Sequence, residues 1–157
     1  MNPHEDHEGS RATLRPALDR LEACLETPFV PGELEVWFDA VASALAELGP
    51  ILRRQISRQH RVQFRQIVRE APALHRSVEQ LERQDGDVVE TYEGLTSRAA
   101  RLAAETVAAE PDEALVVQEA ARFADEGLWF VVRVRKQETA IRTWFGEALN
   151  RETPAGD

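Results

Sequence analysis

Apolar residues between positions 34 and 52 recur in the rhythm of an amphipathic helix. Leu34, Trp37 or Phe38, Val41, Leu45, Leu48 and Leu52 step by three or four residues and share one face. The same rhythm puts Gln55 and Gln59 next on that face, where an unpaired amide is costly to bury. This helix opens after Gly32, is expected to kink at Gly49-Pro50, and should run to about Gln59 or slightly beyond. Leu14, Leu18, Leu21 and Leu25 predict an earlier helix from about Ser10 to Glu26, ended by TPFVPG. After a short helical piece around 62–69, Pro72 seeds a third helix. Its inward line is Leu74, Val78, Leu81, Asp85, Val88, Tyr92, Leu95, Ala99 and Leu102. A fourth starts after Pro111-Asp112 and runs to about Asn150, turning Phe123, Phe130, Val134, Gln137, Ile141, Phe145 and Ala148 inward. LWFVVRVR at 128–135 is the one β-rich run, and it keeps the helical spacing. Four long amphipathic segments with short connections predict an all-α fold, an antiparallel up-and-down four-helix bundle over residues 10–150. A disordered polar tail at 1–9 and a C-terminal tail at 151–157 flank it.

Size and charge narrow the function classes. A chain of 157 residues is one domain with enough core to stand without disulfides. The single cysteine, Cys24, lies beside the apolar line of its helix and reads as a core-edge thiol in a reduced compartment. A net charge of −9, from 28 acids and 19 bases, argues against nucleic-acid binding. Arg53, Arg54, Arg58, Arg61 and Arg65 then read as a solvated helix face. The longest apolar runs are too short for a membrane span, and MNPHEDHEGS is no signal peptide, so a cytoplasmic protein with no membrane partner is expected.

The chemistry lies in the polar residues that interrupt the inward lines: Gln55 and Gln59, Asp85, Gln137, and Arg11, three residues before Leu14. In an up-and-down bundle these positions share one layer, the place where such bundles build metal and cofactor sites. Arg11 is placed to pair with Asp85, and the three glutamine amides, each donor and acceptor, are placed to close a network. His60 falls one step off the stripe and reads as a surface histidine, as does His75. His4 and His7, with Asp6 and Glu8, have spacing for adventitious zinc or nickel binding in a tail. Trp129-Phe130 and Trp144-Phe145 are adjacent pairs, of which a helix buries one member fully, leaving a tryptophan for a partner or dimer surface. No nucleophile-base set for catalysis stands out.

The segments LRPALDRLE (14–22), LGPILRRQISRQH (48–60), FRQIVREAPALHRSVEQL (64–81) and FGEALNRETPAGD (145–157) resemble those of the hemerythrin-like, HHE cation-binding family. The resemblance spans about Leu14 to Asp157 and implies a bundle holding a di-iron centre. Its ligand positions fall on Arg11 in the first helix, Gln55 and Gln59 in the second, Asp85 in the third, and Gln137 and Ile141 in the fourth. Amides are poor iron ligands, isoleucine is none, and a guanidinium repels a cation. The resemblance therefore implies a degenerate member that kept the bundle and lost the metal. Its expected role is non-enzymatic, as a module for an unidentified protein partner or a homodimer, with no cofactor. The alternative is a working di-iron protein that senses or stores oxygen or iron, and a weaker one is a redox enzyme using Cys24.

Overall fold

The computed structural model describes the backbone of residues 5–108, 110 and 112–150, and the side chains among them from Leu14 onward. It is all-helical, with no strand among the described residues. Helix α1 spans Glu5–Glu26, and α2, Leu34–Arg54, passes through a π-helical turn, Gln55–His60, into α3, Arg61–Glu70. A 3-10 turn at Pro72–Leu74 leads into α4, His75–Thr106, and α5 spans Glu113–Asn150. Since α2, the π turn and α3 are continuous, the chain forms four long rods.

Local sequence accounts for most of the boundaries. Ala71 leaves the helical region, with φ −138° and ψ 77°, because the proline that follows disfavours α geometry at the residue before it. Asp112 opens α5 by accepting a hydrogen bond from the Leu115 N–H at 3.2 Å, an N-cap that satisfies an otherwise unpaired donor. Two expected boundaries move. Helix α1 already includes Glu5, upstream of the expected start near Ser10. The second rod does not stop near Gln59; Gln55 and Arg61 both keep right-handed helical angles, and the rod runs on to Glu70.

Helix α1 packs on α2 and α5, α4 packs on the same two, and α3 packs chiefly on α5. The expected inward lines are buried: Leu14 to Leu25 on α1, Leu34 to Leu52 on α2, and the whole line from Leu74, at the end of the 3-10 turn, to Leu102 on α4. Trp37, Phe38 and Phe123 meet edge to face at one end, with centroids 4.9–6.3 Å apart. The core is divided. A larger apolar cluster ends at Leu52, Val88 and Val134, and a smaller one contains Phe64, Ile67, Leu81 and Ile141. Of the aromatic pairs, Phe130 is buried and Trp129 is 66% exposed, whereas Trp144 and Phe145 are both half-buried.

Gly49 has a packing role. A Cβ there would sit 2.2 Å from the Tyr92 hydroxyl oxygen and 2.8 Å from its Cζ, and that hydroxyl donates to the Leu45 carbonyl at 2.7 Å. The buried ring is held at both ends, so Gly49→Ala is expected to lower the unfolding free energy by about 1–3 kcal/mol, measured by urea unfolding. A neutral or stabilising result, as a better helix former would give in open space, would show that Tyr92 yields freely.

Candidate functional site

Between the two apolar clusters lies a layer of buried polar side chains: Gln55, His60, Asp85 and Gln137. The π turn builds it. After Leu52 and Gln55 the inward positions continue as His60, Phe64, Ile67, Ala71 and Leu74, so one step of five residues replaces a step of four. A π turn holds an extra residue, and the rotation it absorbs carries His60 into the core in place of Gln59. The expected surface histidine is therefore 2% exposed, and Gln59 is only half-buried.

His60 occupies the centre. Its Nδ1 donates to Asp85, 2.9 Å from Oδ2 and 3.0 Å from Oδ1, and its Nε2 donates to Oε1 of Glu138. Asp85 Oδ1 also accepts from Gln137 Nε2 at 3.0 Å, and that amide donates again to the Leu81 carbonyl at 2.9 Å. On the other side Gln55 Nε2 donates to Glu138 Oε2 at 3.1 Å. The chain Gln55–Glu138–His60–Asp85–Gln137 thus ties the π turn to α4 and α5.

A ring flanked by carboxylates at both nitrogens must carry a proton on each. Burial opposes the charge and is the largest single influence, but the hydrogen bonds to Asp85 and Glu138 and the charges of those carboxylates outweigh it, raising the His60 pKa from 6.5 to about 9. The sign of the linkage follows: this stabilisation is fully present below about pH 6.5 and is lost as pH rises through about 9. Unfolding free energy should fall by about 3 kcal/mol over that window. Urea unfolding at several pH values tests this, and a flat profile through the window would mean that His60 is neutral in the fold.

Glu138 and Gln55 also form the inner wall of a surface cleft of about 380 Å³ between α1, the π turn, α3 and α5, within the size range of small-molecule sites. Leu14, Leu18, Ile141 and Phe145 give it apolar wall, and Gln59, Gln63, Arg15 and Arg142 line it as well. Arg135 at its edge is committed: Glu22 binds its guanidinium through both oxygens at 2.6 and 2.8 Å, and Asp19 binds it at 2.8 Å. The hydrogen bond to Arg135 lowers the Glu22 pKa. Arg15 and Arg142 have no ion-pair partner among the described residues. Gln55 Oε1 is buried without a hydrogen-bond partner, the one such side-chain atom among the described residues.

Of the positions expected to form the site, Gln55, Asp85 and Gln137 come together, but Gln55 and Gln137 bond to carboxylates rather than to each other. Gln59 faces the cleft, and Ile141 is buried in the smaller apolar cluster. The side chain of Arg11, and with it the pairing to Asp85, lies outside the described residues, as do His4 and the side chain of His7. His75 is exposed, as expected. His60 and Glu138 were missed.

With those two added, the layer holds one imidazole and two carboxylates, but it does not fit the two-iron centre that the resemblance implies. The carboxylates lie on opposite ring nitrogens, so no point is shared by the three, and the remaining donors are amides. No group of three or more His, Cys, Asp or Glu side chains among the described residues is arranged to hold a metal ion. No helix among them is long and apolar enough to cross a membrane. Comparison with family models, with curated proteins and with solved structures finds no match to this chain.

Proposed function

We propose that the chain is a non-enzymatic, hemerythrin-like bundle that has lost its di-iron site and serves as a binding or regulatory module, its cleft receiving a small polar ligand. The observation that carries this reading is Gln55, which lines the cleft and whose side-chain oxygen is buried without a hydrogen-bond partner. Such an atom costs about 1–3 kcal/mol unless something donates to it. An antiparallel up-and-down order is supported by contacts that run in opposite directions along neighbouring rods. Leu45 meets Tyr92 while His60 meets Asp85, Arg98 meets Glu126 while Asp85 meets Gln137, and Glu22 meets Arg135 while Leu25 lies against Gly127. The non-enzymatic reading rests on His60: both ring nitrogens are donors and the ring is buried, so it has no lone pair to take a proton from a substrate. A lone, half-buried Cys24 suits a cytoplasmic setting.

Two measurements test the reading. Elemental analysis of untagged protein from iron-supplemented cells should find metal near zero; about two irons per chain would restore the di-iron alternative of oxygen or iron sensing or storage. A fragment screen read by the side-chain amide resonances of Gln55, Gln59 and Gln63 should find binders in the cleft. A screen that moves none of them removes the cleft as a ligand site. A protein partner or homodimer is favoured by a separate observation, the 66% exposure of Trp129, and sedimentation at increasing concentration tests the homodimer.

A further inference from the structure

The cleft has polarity as well as volume. At its inner end the partly exposed Glu138 carboxylate is an acceptor. Behind it, one imidazolium faces two carboxylates, so the buried layer is net negative. Arg135 adds no free positive charge, because Asp19 and Glu22 already surround it. Arg15 and Arg142, which have no ion-pair partner among the described residues, are exposed at the cleft. Ile141 supplies apolar wall between these groups.

An anion driven inward would meet like charge. A simple cation would satisfy the inner wall and leave both arginines unused. From these two ends we infer that the cleft takes a zwitterion of the ω-amino acid type. Its ammonium donates to Glu138, its carboxylate meets Arg15 and Arg142, and its aliphatic stem lies along Ile141. This rests on the cleft being a ligand site. Glu138 and Arg142 are one helical turn apart on α5, about 6 Å along the axis, which suits a stem of about three to five carbons.

Titration of the full chain with δ-aminovalerate at low ionic strength, read by calorimetry and by the Gln55 amide resonances, tests the assignment. The zwitterion should bind at least about tenfold more tightly than either half-molecule, valerate or n-pentylamine. The double variant Arg15→Gln/Arg142→Gln, whose changes are exposed and should leave thermal unfolding unaltered, should lose about tenfold or more in affinity for δ-aminovalerate. Equal binding of a half-molecule, or a double variant that binds as the parent does, overturns the zwitterion and leaves the cleft as a ligand site. The same holds if δ-aminovalerate fails at about 10 mM while other fragments move the cleft glutamines. If no fragment moves them, the ligand-site reading falls together with the zwitterion.

Discussion

Replacing His60 with alanine should lower the unfolding free energy by about 3–5 kcal/mol, the scale of removing one partner from a buried ion pair. The cost comes from what remains rather than from the volume lost. Asp85 is 5% exposed, and without the imidazolium its carboxylate keeps one side-chain donor, Gln137. Glu138 is better placed to recover, because its side chain is 21% exposed at the cleft and water can reach it. Two controls separate the ionic effect from a cavity. His60→Ala should remove most of the fall in stability between about pH 6.5 and pH 9. The pair His60→Leu/Asp85→Leu should recover most of the lost stability, since a buried ion pair replaced by apolar groups is often neutral or better. Urea unfolding near neutral pH reads both variants. A loss under about 1 kcal/mol for His60→Ala, the value expected of a surface histidine, would place the ring outside the core.

The apolar lines were legible because burial on a regular helix repeats every three or four residues. The line from Leu74, just before α4, to Leu102 is buried without exception, and Asp85, its one charged member, is bonded to His60 and Gln137. Gln55 and Gln137 stood out for the same reason: a polar side chain at an inward position needs a partner. The site's centre was hidden because extending the rhythm past Gln55 assumes an unbroken α-helix, and the π turn breaks that assumption by one residue. A signal was present. Phe64, Ile67, Ala71 and Leu74 are in phase with one another but one residue out of phase with Leu48 and Leu52, which marks an inserted residue in a continuous rod rather than a new helix. Glu138 carried no such signal. It is one position past Gln137 and only partly exposed, and its long side chain reaches inward to a ring that the pattern had placed outside. The family resemblance pointed to the same four rods, but it matched ligands to regular spacing and so directed attention to Gln59 and Ile141 instead of His60 and Glu138.

The phase slip itself is open to test by deletion. Removing one residue from a regular helix rotates everything beyond it by about 100° and turns the buried face away from the core. Deleting Ser57, an exposed residue within the π turn, should do the opposite. Leu52, Gln55, His60, Phe64 and Ile67 would then follow one another at three, four, four and three residues, all compatible with an α-helix, and His60 would still face Asp85. The variant should therefore fold, with its melting temperature within about 5 °C of the parent and with the pH dependence set by His60 intact. Deleting Glu90, also exposed but within regular α4, should swing Tyr92, Leu95, Ala99 and Leu102 out of the core. Displacing that many buried side chains exceeds the roughly 5–15 kcal/mol by which a domain of this size is stable, so this chain should not fold. Circular dichroism and thermal unfolding distinguish the pair. If the Ser57 deletion unfolds the bundle as the Glu90 deletion does, then the turn holds no spare residue, and His60 reaches the core by some route other than the π-helical insertion.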